Sequence, residues 1–190
     1  MEFLPNEFYH VYNRGNNKQI VFIEEDNYLF FANKIQQELK GYAEVIAYCL
    51  MPNHYHLLIY TNDTVDKKNN SSLNRKLGTL QSSYTRAFNV RFNRTGSLFQ
   101  PKLKFKILNK NELQLRTCFH YIHQNPLKAK LVNKMEEWEF SSYKDYLENT
   151  IKSIVNRKIA FERIAIPESR ERFIEESLRV INFDEGEEDY

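Results

Sequence analysis

The stretch from Glu44 to Tyr60 leaves this chain few folding choices. Two β-favouring runs, Glu44 to Met51 and His54 to Tyr60, are separated only by Pro52-Asn53, a chain-reversing pair, so they pair as an antiparallel hairpin. Side chains alternate along a strand, which puts His54 and His56 on one face and Tyr55 on the other. Two imidazoles side by side on a sheet can hold a divalent ion. A sheet face that merely carries two histidines is the plainer alternative, and His-x-His alone does not separate the two.

A hairpin with apolar residues on both faces needs further strands and covering helices, and the flanking sequence supplies them. Glu7 to Tyr12 reads as a strand with Phe8, His10 and Tyr12 on one face, broken by the turn residues Asn13 to Asn17, which leave Arg14 exposed on a loop. Glu24 to Lys40 has helical period, with Tyr28, Phe31, Ala32, Ile35 and Leu39 in one stripe and Gly41 as the stop. After a polar loop from Asp63, a second amphipathic helix runs from about Ser72 to Asn89 on the stripe Leu73, Leu77, Leu80, Tyr84 and Phe88. Arg91 to Gln100 is a basic loop interleaved with aromatics, and Lys102 to Leu108 alternates as a strand with Lys102, Lys104 and Lys106 on one face. A third helix is expected from the Asn109 N-cap and Glu112, with Leu115, Cys118, Phe119 and Ile122 as its core face and Pro126 biasing the chain to leave the helix at Asn125. The first six elements match a split β-α-β plan: an α+β, ferredoxin-like antiparallel sheet with helices on one face.

At 190 residues the expectation is one domain, residues 1–150, and a C-terminal helical extension, residues 151–190, with a helix-compatible stretch from Ser169 to Val180. The extension carries 7 Lys/Arg against 10 Asp/Glu and ends in an acidic run expected to be mobile, so the first 150 residues hold a net +5 of the total +2. A mildly basic body is compatible with nucleic acid without requiring it. Two cysteines exclude a disulfide framework or a cysteine-rich zinc site. With no signal-like N-terminus and no apolar run of bilayer length, a soluble, cytoplasmic protein is expected, with no membrane partner.

Two neutral imidazoles leave most of an ion's coordination sphere open, and an open sphere can polarise a phosphate oxygen. A third donor would come from another element; Asn125, Gln124 and His123 are candidates, all close to Tyr121. A tyrosine beside such a phosphate can attack it, giving a phosphotyrosine linkage and a free 3′-hydroxyl.

Met51-Pro-Asn-His-Tyr-His-Leu-Leu-Ile59 and Tyr121-Ile-His-Gln-Asn-Pro-Leu-Lys-Ala-Lys-Leu-Val132 resemble the single-tyrosine HUH transposases, and within them the REP-associated tyrosine transposases. Tyr9 to Gly15, Arg94 to Gln100 and Trp138 to Tyr146 fit in the same order, so the resemblance spans about residues 7 to 146. It implies HUH-endonuclease architecture, Mg²⁺ or Mn²⁺ on His54 and His56, Tyr121 as the nucleophile holding a DNA 5′ end, and Asn125 as third ligand. Relatives of the insertion-sequence type often have Gln at that last position. It further implies a single-stranded or hairpin DNA substrate, and a site formed within one chain or shared across a homodimer. Arg14, Arg91, Arg94, Lys102, Lys104 and Lys106 could track a phosphate backbone, and Phe92 and Phe99 could stack on unpaired bases. Tyr84 reads as core, Tyr60 as a poorer nucleophile, and His10 and His123 as structural or DNA-proximal. The competing functions are a hairpin-binding protein without cleavage and a phosphodiesterase that uses water in place of Tyr121.

Overall fold

The computed structural model describes residues 3–63, 65, 70–108, 112–148 and 153–179. Asn109, the residues of the 66–69 loop and the acidic end 184–189 lie outside them. Four strands, β1 (Phe8–Arg14), β2 (Ala43–Met51), β3 (His54–Thr61) and β4 (Lys104–Ile107), form an antiparallel sheet in the order β2-β3-β1-β4. Helices α1 (Glu25–Leu39) and α2 (Asn70–Arg91) intervene as the split β-α-β plan requires. Four more follow: α3 (Glu112–Lys128), α4 (Tyr143–Leu147), α5 (Arg157–Ile164) and α6 (Arg170–Ser177).

The α1 and α2 stripes bury Tyr28, Phe31, Ile35, Leu39, Leu73, Leu77, Leu80 and Tyr84, as their periodicity predicts. They cover the sheet face that carries Tyr55: its ring meets Phe31 at 4.9 Å between centroids, and its hydroxyl accepts a 2.6 Å hydrogen bond from Gln81 Nε2. Successive residues of β3 point oppositely, so His54 and His56 face away from α1 and α2. On that second face lies α3.

Helix α3 does not stop at Asn125. It continues through Pro126 to Lys128, and every residue from Cys118 to Pro126 is buried. A proline costs least near a helix end, and burial on all sides outweighs the bias against helix in the residue before it. The burial has two sources. One side of α3 meets β2 and β3. The other is clasped by α6: Glu176 receives Arg116 Nε at 3.0 Å and faces His120 Nε2 at 2.9 Å, Ser177 Oγ lies 3.2 Å from His120 Nδ1, and Gln124 Nε2 donates to the carbonyls of Ser177 and Arg179. The outer edge of β2 is covered as well: Leu50 N–H donates to Phe140 and Ser142 N–H to Tyr48, and from the extension Asn156 N–H donates to Val45. A capped edge cannot recruit a foreign strand.

Burial raises the pKa of the Glu176 carboxyl, but hydrogen bonds from Arg116 and His120 more than offset this and hold it below its ordinary value. Glu176→Ala strips Nε2 of His120, 1% exposed, of its partner while Arg116 can still reach water. A loss of about 2 kcal/mol is expected in urea unfolding, with partial recovery in Glu176→Gln.

Burial also drives His123 well below the usual histidine value, with His120 adding to the effect, and lowers His10 to about 3, with Lys106 adding. A depressed folded pKa means that the unfolded chain takes up the proton first, so stability is complete above 6.5 and falls as pH drops below it. Unfolding free energies from denaturant titrations at pH 7 and pH 5 should differ by up to about 2 kcal/mol for each of these two histidines.

Candidate metal and nucleophile site

Strand register assembles the site. On β1, Arg14 is paired with His54, Tyr12 with His56 and His10 with Leu58, and directly paired residues share a face. The rings of His54 and His56 lie 4.9 Å apart at 86°. His54 Nδ1 sits 2.6 Å from Asn53 Oδ1. An amide oxygen only accepts, so the His54 proton is on Nδ1 and its lone pair on Nε2. His56 Nδ1 lies 3.0 Å from His10 Nε2, and the tautomer in which His56 donates likewise presents Nε2. Metal-bound histidines are commonly held by their second nitrogen in this manner. Burial pushes His56 well below its ordinary pKa, with His54, His10 and Arg14 adding repulsion, so the imidazole is neutral and competent as a ligand.

From α3, the Tyr121 ring approaches edge-on at 5.7 Å from His56 and 6.3 Å from His10, all within one chain. Tyr121 is only 2% exposed, and the ammonium of the exposed Lys128 stands 4.9 Å over its ring. Asn125, a turn further on, donates from Nδ2 to the Tyr121 carbonyl at 3.0 Å, and its Oδ1 accepts nothing among the described residues. Gln124 and His123 are committed elsewhere, Gln124 to α6 and His123 Nε2 to Ser142 Oγ at 2.7 Å. Among the described residues no trio of His, Cys, Asp or Glu is arranged to hold a metal. A third protein donor to an ion on the histidine pair would come from outside that set, and the unspent Asn125 Oδ1 is a hard oxygen of the right kind.

No protein-family model matches the chain, and comparison with curated proteins returns no significant match. Among solved structures it is similar to a REP-associated tyrosine transposase bound to a REP hairpin, with a TM-score of 0.60 over 81% of this chain and 87% of that one at 16% identity. The chain has a tyrosine-transposase fold.

Within that fold the basic residues divide. Arg14, expected on an exposed loop, is instead the half-buried last residue of β1, beside His54. The loop after it turns so tightly that a Cβ on Gly15 would sit 2.2 Å from the Gln19 carbonyl oxygen, which only glycine allows. Lys104 and Lys106 pair with Tyr12 and His10 and so flank the histidine face, Lys104 Nζ lying 5.8 Å from the Tyr12 ring centroid. Lys102 is exposed ahead of the shorter observed strand. Arg91 forms an exposed ion pair with Glu24 at 3.0 Å, while Arg94 is tied to Asn89 and Gln19. Phe99 is 3% exposed and packs near Tyr55 and Phe31, so it offers no ring face to a base. Phe92 is half-buried against Phe88 at 4.5 Å. Two participants escaped the sequence reading: Tyr12, stacked on His10 at 4.7 Å, and His10 as a direct partner of His56. The alternation of β1 marked their shared face; only the register with β3 puts them beside His56. No described helix is long and apolar enough to cross a membrane.

Proposed function

We propose that the chain is a divalent-metal-dependent DNA strand transferase of the HUH transposase type, acting on single-stranded or hairpin DNA in the cytoplasm. One observation carries the reading: two histidines whose Nδ1 atoms are both engaged by neighbours, with a tyrosine edge-on to one of them from another element of the same chain. His54, His56 and Asn125 Oδ1 would hold Mg²⁺ or Mn²⁺. Such an ion, when bound, polarises the scissile phosphate and offsets its developing charge. The Tyr121 oxygen attacks phosphorus and the bond to the 3′-oxygen breaks. The phenolic proton is released and the departing 3′-oxygen ends protonated, so the 5′ end stays on Tyr121 as a phosphodiester and the other fragment carries a free 3′-hydroxyl. Reversal by a different 3′-hydroxyl rejoins the strand. Arg14, Lys104 and Lys106 supply positive charge along the approach to the pair. Because Tyr121 meets His56 of its own chain, the proposed site is complete in a monomer.

The test is a denaturing gel of wild-type protein mixed with end-labelled hairpin DNA and Mn²⁺. A band that migrates with the protein and vanishes with EDTA supports the reading. DNA binding without an adduct would reduce it to a hairpin-binding protein, and cleavage without an adduct would point to water as the nucleophile.

A further inference from the structure

Residues four and seven apart on a helix share one face, so Tyr121, Asn125 and Lys128 form a single stripe if α3 stays helical as far as Lys128. It does, in spite of Pro126. The helix ends just beyond. Lys130 takes a left-handed φ of 56°, Leu131 N–H donates to the Pro126 carbonyl at 3.0 Å, and Lys130 N–H donates to the Leu127 carbonyl at 3.0 Å. That pair of bonds is a Schellman motif, and it fixes the last turn. A chain leaving the helix at Asn125 would have carried Lys128 off the stripe.

The result is a cation beside the proposed nucleophile. The Lys128 ammonium stands 4.9 Å from the centre of the Tyr121 ring, and Lys128 is exposed where Tyr121 is 2% exposed. A lysine in the last turn of any helix is favoured by the helix dipole, and a cation over a ring face at the surface is a weak contact. Neither effect selects the place over Tyr121. Phosphate chemistry does. A phosphorus bonded to the Tyr121 oxygen lies one bond beyond the ring, and its non-bridging oxygens can turn toward the side where the ammonium stands. Lysine suits that task, being a point charge with three donors on a flexible stem.

We propose that Lys128 is a catalytic residue whose ammonium holds a non-bridging oxygen of the phosphate under attack by Tyr121, an inference that rests on the strand-transfer reading above. A phosphodiester carries one negative charge. As the Tyr121 oxygen loses its proton and bonds to phosphorus, before the bond to the 3′-oxygen has broken, more than one negative charge is shared among the phosphoryl, attacking and leaving oxygens. A fixed cation is bound more tightly by that arrangement than by the resting diester, so it raises rate more than affinity. Lys128 gives up no proton and remains an ammonium throughout. Once the 3′-oxygen has left, the phosphate stays on Tyr121 as a diester, so the same contact serves the rejoining step. Arg14, Lys104 and Lys106 lie on the sheet; Lys128 reaches the phosphate from the helix that carries the nucleophile.

The test uses full-length protein, end-labelled hairpin DNA at saturation and Mn²⁺, and follows the single-turnover rate of adduct formation. Lys128→Met keeps an unbranched stem and removes the charge, and its rate is expected to fall on the order of 100-fold. Lys128→Arg keeps a cation and should return to within about tenfold of wild type. Three other measurements should barely move in Lys128→Met: hairpin affinity in EDTA, within about threefold; Mn²⁺ affinity by calorimetry, within about twofold; and the melting temperature. An adduct rate in Lys128→Met equal to wild type overturns the proposal. So does a loss confined to hairpin affinity, which would make Lys128 one more backbone contact. An equal rate loss in Lys128→Arg overturns it too, because charge would then not be what the position supplies. A matching loss of Mn²⁺ affinity would place the effect at Asn125 and overturn it as well. Wild-type protein that forms no adduct overturns the strand-transfer reading and this assignment together, whereas an active wild type with an undisturbed Lys128→Met removes Lys128 alone.

Discussion

Tyr121→Phe should form no covalent adduct with hairpin DNA and should lose at least about 1,000-fold in cleavage rate, because the proposed nucleophile is the single atom removed. The rest of the ring stays. Its edge-on contacts with His56 and His10 and the Lys128 ammonium over its face involve the ring that phenylalanine keeps, so these contacts should hold. Melting temperature and metal-free DNA affinity are therefore expected to stay close to wild type, within about twofold for affinity. Those two measurements separate a lost nucleophile from a lost fold. Normal adduct yield in this variant would remove Tyr121 from the chemistry and return attention to Tyr12, the other tyrosine that stacks near His56.

The second large effect is expected at a residue that need not touch metal. His10 Nε2 holds His56 Nδ1 at 3.0 Å and so sets which nitrogen of His56 faces outward. His10→Leu keeps an apolar filling in a fully buried place but leaves His56 free to rotate or to change tautomer. Mn²⁺ affinity measured by calorimetry should fall about 10- to 100-fold, the usual cost of removing a partner behind a metal ligand. His10→Gln places an amide oxygen where Nε2 stood and should recover most of the loss. If His10→Leu binds Mn²⁺ as tightly as wild type, the orienting role is wrong, whatever happens to cleavage.

How much of this could be read from the chain depends on the range of each interaction. The β2–β3 hairpin and the shared face of His54 and His56 were legible because strand alternation and a two-residue turn are local properties. So were the stripes of α1 and α2. The place of His10 was not, since it depends on register between β1 and β3, more than forty residues apart, and a slip of one residue would have turned it away. The exit expected at Asn125 failed for a similar reason: the burial that carries the helix past Pro126 comes partly from Glu176, Ser177 and Arg179. The basic, aromatic loop from Arg91 to Gln100 misled in part. Its pattern suggested solvent-facing contacts, yet Phe99 fills the core beside Tyr55 and Arg94 is spent on bracing the loop. Lys104 and Lys106 share a face as their alternation predicts, but only the pairing of β4 with β1 sets them beside the histidines, and Arg14 ends β1 half-buried instead of lying on an exposed loop.

The clasp of α6 on α3 bears on inheritance as well as on packing. On the proposed chemistry, a nucleophile helix held by its own chain would be neither lent to a neighbour nor borrowed from one. On the proposed chemistry, a copy with a ruined Tyr121 withholds nothing from an intact copy in the same cell. Two copies ruined at different places, one at His56 and one at Tyr121, cannot repair each other. Loss-of-function alleles of this protein would thus be recessive, and they would fail to complement one another in trans.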